Sequence, residues 1–187
     1  YNVLERIKSN PFALISLSKA TLPNLRTIAA VGESIGFTGN DDKACVGLVE
    51  FALYEQLARG HTMVEIEALK QRLSTLKKIT HATIPSEQII VAALKQKAVC
   101  VYKENGVTYI QPIGAACIEH NVEKAILWLM NAPAQLPLPF DLHNRIDEYN
   151  EHMVHFHGYR LTDQQCSAVA MALNSRISLL SGFGGTG

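Results

Sequence analysis

Apolar residues recur at helical spacing along most of this chain, and at strand spacing in only a few short runs. Val3–Lys8 carries a short helical pattern. Asn10-Pro-Phe-Ala-Leu-Ile15 comes after it, with Pro11 suited to the first turn of a new helix, where a backbone N–H would have no partner. A further helix is predicted over Leu22–Val31, stopping near Gly32. Gly36-Phe-Thr-Gly-Asn-Asp-Asp42 then reads as a turn whose Asn and Asp side chains can cap the succeeding helix. That helix, Lys43–Arg59, has apolar residues on most faces and so belongs at the centre of a core. Gly60 ends it, as a left-handed cap position prefers.

Thr62 and Glu65 are spaced as a capping box for another helix, in which Ile66, Leu69, Leu73 and Leu76 form the apolar stripe. Lys70, Arg72, Lys77 and Lys78 occupy its remaining surface. Pro85-Ser-Glu-Gln starts a third helix carrying Ile89, Ile90, Ala93 and Leu94. Val99–Tyr102 and Val107–Ile110 are β-prone runs, and Asn105-Gly106 between them signals a tight hairpin. Three helices and then a hairpin is the order of a winged-helix domain. Its third helix offers Lys95 and Lys97 as cations and Gln88 and Gln96 as base readers, thin for sequence-specific readout.

Ile113–Met130 predicts one more helix, with Trp128 at core spacing. Ala132-Pro-Ala-Gln-Leu-Pro-Leu-Pro-Phe140 is a proline-rich, semi-rigid connector and marks a domain boundary. Residues 141–160 predict a helix ending near Gly158, and Asp163–Leu173 predicts another. Ile177-Ser-Leu-Leu180 reads as a buried strand running into Ser181-Gly-Phe-Gly-Gly-Thr-Gly187. Gly182-x-x-x-x-Gly187 supplies the first six positions of a phosphate-binding loop, whose glycines let backbone N–H groups cradle phosphate oxygens. The Lys and Ser/Thr that complete that motif would come after Gly187, so the expectation is a fragment cut inside its nucleotide site.

The expected fold class is thus mainly α with a small β-hairpin, ahead of the start of an α/β P-loop motor domain. Its parts are an N-terminal helical region (1–62), a winged-helix-like unit with its following helix (63–131), a linker and helix (132–158), and the motor-domain opening (159–187).

Composition changes this picture little. Apolar residues are 48% and charged residues 18% of the 187, a globular balance. The net charge of zero hides a segment, 64–103, with seven basic and three acidic residues, against four and eight in 104–187. A basic middle can face a polyanion, so Lys70, Arg72, Lys77, Lys78, Lys95 and Lys97 are the candidate DNA contacts. Cys45, Cys100, Cys117 and Cys166 lie far apart and read as buried thiols of a reducing compartment. The most apolar stretch, Ile126–Met130, is too short to span a bilayer, and no secretory signal is visible; the expectation is a cytoplasmic protein with no membrane partner.

His152, His155 and His157 are the one cluster that suggests a metal. On a helix, however, 157 leaves the face shared by 152 and 155, so a solvated or packed face is the default and no metal is assigned. His61 reads as a loop or cap contact. No paired carboxylates and no Ser/His/Asp set stands out, so no catalytic residue is assigned within these 187 positions.

Leu161-Thr-Asp-Gln-Gln165-Cys-Ser-Ala168-Val169, a helix, an apolar run and the glycine-rich loop resemble the opening of the first motor domain in superfamily 1 helicases. With Asn10-Pro-Phe-Ala-Leu-Ile15, Ile35-Gly-Phe37, Asp41-Asp42 and Gly60-His61-Thr62 in the same order, nearly the whole chain resembles the RecD/TraA-type branch, which includes exonuclease V α-subunits and moves 5′ to 3′ on single-stranded DNA. The resemblance implies an ATP-dependent DNA helicase of recombination and repair, with ATP and Mg²⁺ as cofactors of the longer chain and single-stranded DNA as partner. It implies that Gln165 reads adenine, while Gly182, Phe183, Gly184, Gly185, Thr186 and Gly187 wrap the phosphates. Without the downstream motifs, these 187 residues would have no ATPase activity. There is one departure. Where the family carries a helix-hairpin-helix with Gly-Ile-Gly, Leu17–Ala30 has no glycine, which points to a structural or partner-protein docking role for the N-terminal region. Two other readings stand beside this one: a non-catalytic helical and winged-helix module that binds nucleic acid or protein, and a different nucleotide enzyme.

Overall fold

The computed structural model describes residues 3–132 and 141–182 and is mainly helical, with one three-stranded antiparallel sheet. The elements are α1 (Val3–Ser9), a 3₁₀ helix (Pro11–Leu17), α2 (Leu22–Ser34), α3 (Asp42–Leu57), β1 (Val64–Glu65), α4 (Ile66–Leu76), α5 (Ser86–Lys95), β2 (Val99–Glu104), β3 (Val107–Pro112), α6 (Ile113–Asn131), α7 (Leu142–His157) and α8 (Asp163–Asn174). The chain divides into two compact units, Tyr1–Glu119 and His120–Gly187. Most of the proline-rich connector, 133–140, lies outside the described residues.

In the first unit α3 is the core helix, because its sequence is apolar on nearly every side. Ala44, Cys45, Leu48, Val49, Phe51, Ala52 and Leu53 are all buried. The 3₁₀ helix, α4 and α5 pack around it. Gly47 marks a close approach to the 3₁₀ helix: a Cβ there would stand 2.8 Å from Phe12 Cβ and 2.9 Å from Ile15 Cδ1. Burial lifts the Cys45 thiol to a pKa of about 11, so it is protonated and inert at neutral pH.

Two predicted caps are replaced by other contacts. Asp41 precedes α3 but does not cap it; its carboxylate accepts from the backbone N–H of Thr38 at 2.5 Å and from its hydroxyl at 2.9 Å. Thr62 and Glu65 form no capping box either. Val64 and Glu65 pair with Ile110 and Tyr109 of β3, so α4 begins only at Ile66. Sheet pairing wins because it satisfies several backbone groups, where a cap satisfies one or two. Thr62 instead donates a hydrogen bond to Glu119 of α6, whose carboxylate also accepts from Nε2 of the buried Gln111 at 2.6 Å. These two bonds hold the Glu119 carboxyl below its ordinary value of 4.5. Its contribution to stability is therefore complete above that value and is lost as pH falls through the folded-state pKa. Glu119→Gln is expected to flatten the acid limb of urea-midpoint measurements as pH falls below that ordinary value; an unchanged acid limb would contradict this.

The hairpin obeys its sequence signal. Val101 faces Ile110 and Tyr102 faces Tyr109, and the turn residues Asn105 and Gly106 have φ of 50° and 80°. That is the all-left-handed turn whose twist matches the strands. β3 lies between β1 and β2.

In the second unit, Asp141 caps α7 by accepting from the backbone N–H groups of His143 and Asn144, and Gly158 closes the helix at φ 76°. Leu142, Ile146, Asn150 and Met153 are its buried positions. The expectation for Trp128 is corrected: it is 70% exposed on α6, along with Val122, Ile126, Leu127 and Met130. Helical spacing of apolar residues marks a face but does not supply the surface that covers it. No helix among the described residues is long and apolar enough to cross a membrane.

Candidate functional site

The start of α8 is built by side chains acting on backbone. Asn150 of α7 is buried, and its Oδ1 accepts from the backbone N–H of Leu161 at 2.9 Å. Its Nδ2 reaches Cys166 Sγ at 3.5 Å. This fixes the turn that delivers Thr162. Thr162 Oγ1 accepts from the Gln165 N–H at 3.2 Å, and Gln165 Oε1 accepts from the Thr162 N–H at 2.8 Å, a complete capping box.

Gln165, the residue that the helicase resemblance assigns to adenine, thus has a local structural task. One lone pair of its carboxamide oxygen is committed, and the other lone pair and the Nε2 hydrogens form an acceptor–donor pair. Thr162→Ala is expected to cost about 1 kcal/mol of second-unit stability in denaturant unfolding, and Thr162→Asn to restore most of it; equal losses would show that the cap is not what matters.

Beyond α8 the chain turns extended at Ser175, with φ −117° and ψ 142°. The strand expected at Ile177–Leu180 does not form. Among the described residues the run has no pairing partner, and Leu179 and Leu180 are 89% and 74% exposed. A strand exists through its neighbours' hydrogen bonds, and the three strands of the described residues are all spent in the β1-β3-β2 sheet. The run is not helical either. Gly182 is exposed, whereas Phe183, Gly184, Gly185, Thr186 and Gly187 lie outside the described residues.

The candidate DNA cations do not form one free set. Arg72 makes a bidentate ion pair with Glu55, Nε to Oε2 at 2.7 Å and Nη2 to Oε1 at 2.6 Å, and both residues are partly buried. Lys70 pairs with Glu67 at 2.8 Å and Glu87 at 3.7 Å. Lys77 donates to the Ile84 carbonyl at 3.4 Å. Lys78, Lys95 and Lys97 are exposed, with Lys97 in a left-handed conformation at φ 55°. The basic excess of 64–103 is therefore partly neutralised by Glu55, which lies outside that segment, a pairing that a linear charge count does not reveal.

His152 lies tilted against Phe156 and His155 meets it edge-on, with ring centroids 4.4 and 4.7 Å apart, and His157 lies 6.1 Å from the Tyr159 ring. Among the described residues, no group of three or more His, Cys, Asp or Glu side chains is arranged to hold a metal ion. Of the cysteines expected to be buried, Cys45 is; Cys100 and Cys166 are partly covered, and Cys117 is exposed. Sequence reasoning missed Asn150 and Glu55, because their partners lie 11 and 17 residues away and no local pattern marks such pairs.

No protein-family model, no curated protein and no solved structure matches this chain.

Proposed function

We propose that this chain is the N-terminal part of an ATP-dependent DNA helicase of superfamily 1. The observation that carries the reading is the order Thr162–Gln165 capping box, α8, apolar run and Gly182-x-x-x-x-Gly187. In this reading Gln165 pairs with the adenine edge, and backbone N–H groups of Gly182–Gly187 and the Thr186 hydroxyl hold phosphate. ATP and Mg²⁺ are cofactors of the longer chain, where a lysine and a Ser/Thr after Gly187 would contact the β/γ-phosphates and the metal. Mixing the 187-residue chain with ATP is expected to release no phosphate. The chain extended along its natural reading frame is expected to hydrolyse ATP when single-stranded DNA is added, and to lose that activity when the lysine after Gly187 becomes alanine. A natural continuation without that lysine, or turnover by the 187 residues alone, would sink the proposal.

A second reading is favoured by one observation: the order α3–β1–α4–α5–β2–β3, with β3 central, is the order expected of a winged helix. Here that unit binds nucleic acid non-specifically through phosphate contacts. Of the six candidate cations, Lys78, Lys95 and Lys97 are exposed and stand outside the ion pairs that engage Lys70 and Arg72. Binding is therefore expected to be weak and strongly salt-dependent. The Lys95→Ala, Lys97→Ala double variant should lower the slope of log affinity against log salt by about 1.5. An unchanged slope would assign the unit to spacing or protein docking.

A further inference from the structure

We infer that Arg176 is a positioning residue that seats the segment leading into the glycine-rich loop on the C-terminal end of α6. Helix α6 ends with carbonyls that have no partner inside the helix, and it carries no basic residue in its own last turn. It has no glycine to close it, since the chain continues from Asn131 into Ala132-Pro133. Arg176 supplies what is missing. Its Nη1 donates to the Leu129 carbonyl at 3.5 Å and, at closer range, to the Ala132 carbonyl.

The contact spans 47 and 44 residues of sequence, and Arg176 is partly buried in making it. A guanidinium at this end of a helix satisfies orphan acceptors and also meets the negative end of the helix dipole. Arg176 stands two residues after α8 ends and six before Gly182. Among the described residues the run between Arg176 and Gly182 has no sheet partner, and this side chain ties its start to α6. A segment leading to a phosphate loop must arrive in a fixed place, because backbone N–H groups can only cradle a phosphate if they converge. The loop's role rests on the nucleotide reading; the seating of the segment does not.

The test is backbone ¹⁵N relaxation on the 187-residue chain and on Arg176→Ala and Arg176→Lys, together with titration of each with millimolar ATP followed by amide shifts. In the wild-type chain, Ser175–Ile177, the residues flanking the contact, are expected near the rigid order parameter of about 0.85, falling below about 0.6 in Arg176→Ala. Arg176→Lys, which keeps the charge but loses the fork, should recover part of the order. Unperturbed α7 and α8 shifts would show that the unit still folds. ATP-induced shifts at Gly182–Gly187 should weaken in Arg176→Ala and partly return in Arg176→Lys, which a purely structural cap would not produce.

Equal order parameters in wild type and Arg176→Ala would overturn the seating. Lost order with unchanged ATP shifts would overturn the loop's dependence on it. A wild-type chain indifferent to ATP would overturn the loop's dependence on Arg176 within these 187 residues, while the order parameters still decide whether Arg176 holds the segment.

Discussion

Gly39→Ala is expected to unfold the first unit or to destabilise it by about 3 kcal/mol or more, read as a fall in urea midpoint at constant slope. A Cβ at position 39 would lie 2.0 Å from the Thr80 carbonyl oxygen, 2.6 Å from the Ala82 nitrogen and 2.8 Å from the Thr80 carbonyl carbon. All three are backbone atoms, so no rotamer change relieves the clash. The loop 80–84 would have to retreat, taking with it the bonds that Asn40 makes there. Asn40 Oδ1 accepts from the N–H groups of Thr83 at 2.8 Å and Ile84 at 3.4 Å, and its Nδ2 donates to Thr83 Oγ1 at 2.9 Å. The glycine is thus required for space. A loss under about 1 kcal/mol would mean that the two loops do not meet.

Phe51→Ala should cost about 3–5 kcal/mol, the usual range for emptying a buried aromatic site. Phe51 is 1% exposed and sits on α3, where the 3₁₀ helix, α4 and α5 all pack, so no neighbour is free to collapse into the space. Phe51→Leu, which keeps most of the volume, should lose well under half as much. Thermal melts of the two variants check this, and equal losses would show that shape, not volume, governs the site.

The candidate site is only partly legible in the sequence. Thr162 and Gln165 stand out by their spacing to a glycine-rich loop, yet the capping box between them emerges only with α8 in place. Ile177–Leu180 looks like a strand by composition, but pairing requires a neighbour that composition cannot provide. Arg72 reads as a surface cation until the fold sets Glu55 beside it, and Trp128 reads as core although α6 leaves it uncovered.

Local chemistry by itself determined some of the helix starts and stops and the hairpin. Pro11 opens the 3₁₀ helix, Gly60 and Gly158 take φ of 90° and 76° after α3 and α7, and Asn105-Gly106 makes the left-handed turn. Each depends on backbone sterics within a few residues, so the amino-acid types suffice. Tertiary structure alone decided that Thr62 bonds Glu119 instead of capping α4, that Glu55 neutralises Arg72, and that Arg176 closes α6. These pairings join groups far apart in sequence, and whether a polar group keeps its local partner or takes a distant one depends on which backbone and charges the fold brings within hydrogen-bonding reach.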